Sequence, residues 1–143
     1  MILIALFWTV VSHAQFGQTY NISGTYNLPT GYYQNCTFNC APGSIILGSA
    51  SISGFSGCLF QGTNGNSLWE GIFVPNGGDY YFSECKFKNA ITAIKGYNGS
   101  SITARSCKFE DNKFGIFMLE TPNGEYSTSR LSSNYNEFYG ING

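Results

Sequence analysis

The chain has 143 residues, with 7 Lys and Arg against 8 Asp and Glu, a formal net charge of −1, and only 10% charged residues. So sparse a charge set excludes a partner held by phosphate neutralisation, which needs clustered Lys and Arg, and no nucleic-acid partner is expected. Its 18 Gly and 17% aromatic residues, interspersed with Asn, Ser and Thr, point to short strands joined by tight turns.

In chain order, residues 2–11 (ILIALFWTVV) form a short apolar run followed by Ser12, His13 and Ala14. Small residues at the minus-three and minus-one positions of a cut after Ala14 make residues 1–14 read as a secretory signal peptide. The run is too short to span a bilayer as a helix, so no membrane span is expected in the mature chain. The single His lies in this segment, which leaves a chain starting at Gln15 without histidine. Residues 15–35 are expected to form an N-terminal cap or a partial first coil.

From residue 36 to residue 143 the chain repeats itself. Cys36-Thr37-Phe38, Cys58-Leu59-Phe60, Cys85-Lys86-Phe87 and Cys107-Lys108-Phe109 share a pattern, and Asn136-Glu137-Phe138 carries Asn in the Cys place. The steps are 22, 27, 22 and 29 residues, and Gly62–Ser67 and Glu120–Tyr126 are turn-forming stretches that can absorb the two long ones. Around the copies, Gly71-Ile72 aligns with Ala93-Ile94 and Gly115-Ile116, and Tyr80 aligns with Ile102. A fixed period of this size marks one supersecondary unit used repeatedly.

Each copy reads as three short strands with alternating apolar residues, for example Ile72–Val74, Tyr80–Phe82 and Cys85–Phe87. Three strands per roughly 22 residues predict an all-β fold: a right-handed parallel β-helix of about five coils, stacked ~4.8 Å apart. Equivalent residues then lie above one another. Ile45, Ile72, Ile94 and Ile116 are expected as one internal stack, and Phe38, Phe60, Phe87, Phe109 and Phe138 as another. A β-sandwich, the second choice, does not require such a self-match. Phe138-Tyr139-Gly140-Ile141 compresses the usual step, so the end reads as a solenoid broken off or relying on a partner, with end-to-end self-association one outcome.

The steps Asn35-Cys36-Thr37-Phe38-Asn39, Trp69-Glu70-Gly71-Ile72-Phe73-Val74, Cys85-Lys86-Phe87-Lys88-Asn89-Ala90 and Asn112-Lys113-Phe114-Gly115-Ile116 carry a resemblance. The chain resembles the right-handed β-helix repeat proteins, pectate-lyase-like solenoids, of the kind secreted by Bacteroidetes. The resemblance covers about residues 20–120, and its most specific part is the Trp-x-Gly-Ile step. It implies the fold and a secreted or cell-surface location. The chain departs from the family in size and in lacking a C-terminal sorting domain.

The residues offer little chemistry. Equivalent Cys on adjacent coils sit about one strand spacing apart, wider than the ~3.8 Å between β-carbons of a disulfide. Cys58, Cys85 and Cys107 are therefore expected as an inward thiol ladder. No Cys-x-x-Cys occurs and no metal or cofactor is expected. Glu110-Asp111 is the one adjacent acidic pair; with Arg105 it supplies the candidates for catalysis, although Glu110 is also placed to meet Lys88 one coil back in a surface ion pair. Tyr32, Tyr33, Tyr81, Tyr97, Tyr126, Tyr135 and Tyr139 are candidates for exposed aromatics, and Tyr81, Tyr97 and Tyr126 are those assigned to binding, since a tyrosine row can stack on sugar rings.

Together these features predict a secreted or cell-surface, non-catalytic module that serves as a scaffold or binds a polysaccharide or another surface protein. The alternative is a polysaccharide lyase or glycoside hydrolase, or a fragment of one, on the same fold.

Overall fold

A computed structural model describes residues 14–65, 67–119 and 130–139. Residues 1–13 of the proposed signal segment and the whole of the second insertion, Tyr126 included, lie outside the described residues, while Ala14 is the first residue of a strand. Seventeen strands, all paired in parallel, form three sheets. Sheet A contains β1 (Ala14–Phe16), β4 (Tyr32–Gln34), β7 (Ile52–Ser56), β10 (Asp79–Ser83), β13 (Ser101–Arg105) and β16 (Arg130–Asn134). Sheet B contains β2 (Thr19–Ile22), β5 (Thr37–Cys40), β8 (Leu59–Gly62), β11 (Lys86–Lys88), β14 (Lys108–Glu110) and β17 (Glu137–Tyr139). Sheet C contains β3 (Thr25–Asn27), β6 (Ile45–Leu47), β9 (Gly71–Val74), β12 (Thr92–Gly96) and β15 (Phe114–Met118).

The chain visits A, B and C in turn, so each coil adds one strand to every sheet. Five coils are complete, and β16 and β17 begin a sixth. Residues 15–35, read from the sequence as a cap or partial coil, lie mostly in the first coil, with β4 belonging to the second. That coil is short: Thr19 pairs with Thr37, whereas Thr37 pairs with Leu59.

The coil closes through one corner conformation used at every turn. A single left-handed residue joins each strand of sheet A to sheet B: Gly17, Asn35, Gly57, Glu84, Ser106 and Tyr135, with φ between 53° and 61°. Glycine adopts this conformation freely, while other L-residues are strained there by ~1–2 kcal/mol. At the four corners from Asn35 to Ser106 the next residue points inward, which places Cys36, Cys58, Cys85 and Cys107 in one buried column. All five cysteines are free thiols. The ladder expected from Cys58, Cys85 and Cys107 thus gains Cys36. Their thiols donate to backbone carbonyls of the sheet A strands, as in Cys58 Sγ to Tyr33 O at 3.3 Å and Cys107 Sγ to Arg105 O at 3.5 Å. Asn136 takes the last rung; its amide nitrogen donates to Ala104 O at 3.0 Å and its oxygen accepts from Cys107 N at 2.8 Å.

Two aromatic columns fill the core. On sheet B, Tyr20, Phe38, Phe60, Phe87, Phe109 and Phe138 stack with ring centroids 4.5–5.0 Å apart. On sheet A, Tyr33, Phe55 and Phe82 stack at 5.0 Å, and the two columns meet edge to face, as Phe55 does with Phe60 at 5.5 Å. Tyr33, a candidate exposed aromatic, is therefore a core residue, and its hydroxyl donates to Pro29 O at 2.7 Å.

The isoleucine stack shifts by one residue. Ile46, not Ile45, lies in register with Ile72, Ile94 and Ile116, because Ile45 pairs with Gly71. In β7 the inward residues are Ser53 and Phe55, and Ile52 faces solvent. Ser53 leaves room for Tyr80, its neighbour in register, whose hydroxyl accepts from Ser49 N at 2.8 Å. Gly48 is required at that corner, since a β-carbon there would run into the Tyr80 hydroxyl.

The first insertion loops out between β8 and β9. Beside it Trp69 is fully buried and its indole N–H donates to Lys88 O at 2.9 Å.

Candidate functional site

Outward positions of sheet A form columns along the solenoid, since parallel pairing keeps equivalent side chains on one face. Tyr32, Gly54 and Tyr81 are in register on successive coils. Gln34, Ser56 and Ser83 form the neighbouring column, and Phe16 precedes Gln34 in the first coil. Gly54 decides the local shape. With no side chain between the two tyrosines, the Tyr32 ring leans over Gly54, where a β-carbon would lie 2.7 Å from Tyr32 Cδ1.

The result is a groove of about 360 Å³ lined by Ala14, Phe16, Tyr32, Gln34, Ser56, Tyr81 and Ser83, with Tyr33, Gly54 and Phe55 beneath. Phe16, Tyr32 and Tyr81 are 60%, 54% and 44% exposed, high values for large apolar rings. Among the described residues no Asp, Glu, Lys or Arg lines the groove. Its chemistry is aromatic faces beside a carboxamide and two hydroxyls, a pairing suited to a ligand with both C–H faces and hydroxyl groups.

The residues singled out from the sequence distribute over the whole surface. Tyr81 forms one wall of the groove. Tyr97 lies at the corner after β12, where its ring meets Phe73 at 6.0 Å and Lys95 Nζ sits 5.7 Å from its centroid. It therefore shares no face with Tyr81. Glu110 projects from sheet B and is bracketed by Lys86 at 2.8 Å and Lys88 at 3.4 Å. The Lys86 hydrogen bond holds its carboxyl below the ordinary value, with Lys88 adding to the effect. Asp111 is the left-handed corner residue after β14. Arg105 ends β13 on sheet A, exposed and one coil beyond Ser83. Glu110 is thus brought to lysines, not to Arg105, and an ionised, doubly paired carboxylate is a poor proton donor. Among the described residues no group of three or more Cys, His, Asp or Glu side chains is placed to hold a metal.

Sequence reasoning missed Phe16, Tyr32, Gln34, Ser56 and Ser83 as groove residues. The signal was present in the 22-residue step from Asn35-Cys36 to Gly57-Cys58, which sets Tyr32 against Gly54.

The sequence model of the right-handed β-helix region matches residues 50–142. The chain belongs to this family. The match begins just before β7 and runs through β17, so it covers the coils carrying Gly54 and Tyr81. Comparison with curated proteins and with solved structures gave no match. The β-helix assignment thus stands on the family match and on the parallel three-sheet coil, and function has to be argued from the site.

Proposed function

We propose that this β-helix is a secreted or cell-surface binding module, without catalytic activity, that holds a glycan on the outer face of sheet A. The observation carrying the proposal is the uncharged groove in which Tyr32 and Tyr81 flank Gly54 beside Gln34, Ser56 and Ser83. The apolar run and small residues of positions 2–14 support export. The separation of Glu110 and Arg105 onto different sheets supports binding over bond cleavage.

Affinity electrophoresis of the full chain through gels containing neutral or acidic polysaccharides tests the reading. Retardation by at least one polysaccharide is expected, weakened about tenfold by Tyr81→Ala, equivalent to ~1.4 kcal/mol. The same samples are assayed for reducing ends and unsaturated products, and none is expected. Product release that disappears with Glu110→Gln or Arg105→Ala would replace this reading with the enzymatic one.

A further inference from the structure

We infer that the ligand of this groove is an extended, uncharged β-linked glycan lying along the solenoid axis, with one sugar opposite each coil. The inference rests on the binding reading above and adds direction, length and charge to it.

Direction follows from the register. A ligand lying along a strand would meet the residues of one coil only, Tyr81 and Ser83 for example. A ligand crossing the strands meets the Tyr32 ring, which leans over Gly54, and then Tyr81 on one side. On the other side it meets Gln34, Ser56 and Ser83 in succession. The polar groups recur every ~4.8 Å. An extended β-1,4-linked chain advances by nearly the same distance per sugar, and its rings turn over at each step. An extended peptide advances only ~3.3 Å per residue and would fall out of step with the coils at once.

Length follows from the ends. The groove crosses the coils from Phe16 in the first to Tyr81 and Ser83 in the fourth. Charge follows from the lining, which has no ionised side chain. The first charges met are at the rim: Asp79 on the strand of Tyr81, and Arg105 one coil past Ser83. A polyuronate would leave its carboxylates unpaired along the floor, whereas hydroxyl groups find partners there.

Isothermal titration of the full chain with cello-, manno- and xylo-oligosaccharides of two to six sugars, and with tetragalacturonate, tests the inference. Affinity for at least one neutral series should rise with each added sugar up to about four and then level off. It should be unchanged between low and high salt. Tyr32→Ala and Tyr81→Ala should each weaken it about tenfold and Ser56→Ala severalfold, while Lys95→Ala on sheet C changes nothing. These side chains are exposed or at the surface, and circular dichroism checks that each variant keeps the β-helix. Salt-sensitive preference for tetragalacturonate, or no gain beyond a disaccharide, would overturn the inference while leaving a glycan-binding groove. No binding to any of these sugars would overturn it, and if no polysaccharide retards the chain in the gels either, the reading on which it rests falls as well.

Discussion

Replacing Phe60 by Ala tests whether the ring column is what holds the coils together. Phe60 is fully buried, stacked between Phe38 at 4.5 Å and Phe87 at 5.0 Å, with Phe55 and Phe82 edge-on at 5.5 and 6.3 Å. Core Phe→Ala changes cost about 3–5 kcal/mol. Four ring partners, each worth roughly 0.5–1.5 kcal/mol beyond area, place this site at the upper end, at about 4–5 kcal/mol. Phe138 supplies the control. It occupies the same repeat position and stacks on Phe109 at 4.8 Å, yet it is 59% exposed. With about half its surface already in water, Phe138→Ala should cost about 1–2 kcal/mol. Urea unfolding of the full chain, followed by far-UV circular dichroism, reads both changes as shifts in midpoint at constant slope. Against a natural stability of about 5–15 kcal/mol, the central variant should be close to unfolding. Equal losses for the two variants would refute the argument, because they would show that the column does not draw its strength from enclosure.

Other consequences are open to direct measurement. The five thiols should resist a thiol reagent in the native chain at pH 8 and react in full on denaturation. Burial pushes the Cys40 thiol up to about 12, and hydrogen bonding with Cys107 and Cys58 raises that of Cys85; the same hydrogen bonds lower Cys58 and Cys107, so for these two it is enclosure that keeps the reagent out, and a fast-reacting thiol would contradict the packed corner. Glu110→Gln should cost about 0.5–1 kcal/mol at pH 7, the scale of exposed ion pairs. Because the folded carboxyl titrates below its usual 4.5, that contribution is present above 4.5 and is lost as the pH falls through the depressed value. Wild-type and variant stabilities should therefore converge in acid, and an equal gap at pH 7 and pH 3 would exclude the ion pairs as its source. Gly71→Ala should cost about 3 kcal/mol or more. Gly71 has φ 126°, and a β-carbon would overlap the Thr92 carbonyl oxygen, so strain and overlap add. Gly65→Ala, with open space around it, should change stability by less than about 0.5 kcal/mol, both variants being read by the same urea unfolding.

The parts of the fold legible in the sequence are those where one residue type is the only good solution. Phe at the sheet B position and Cys after the left-handed corner repeat because a narrow core stacks like on like. Legibility fails where a strand offers two solutions. Ile45-Ile46-Leu47 is apolar throughout, so alternation alone cannot choose its inward residue, and Gly71 on the next coil makes the choice. Ile52 and Phe55 are three apart and cannot share a face; Tyr80 settles the matter by needing the small Ser53 beneath it. The groove was hidden for a similar reason. It depends on a residue without a side chain, Gly54, meeting Tyr32 from a coil whose strands were not recognised as such. Glu110 was legible as a partner of Lys88 because both belong to the clearest pair of repeats.

On sheet B the step between coils can be 18, 22, 27 or 29 residues while the strands stay in register. Extra residues leave the chain at a corner and return to the same column. Length and frame are thus inherited separately. An insertion of any size between Gly62 and Ser67 preserves every inward and outward assignment downstream, whereas a single residue added within β8 would turn that strand inside out. New loops can be added here, and the corners are where this molecule has room to acquire surfaces it does not yet have.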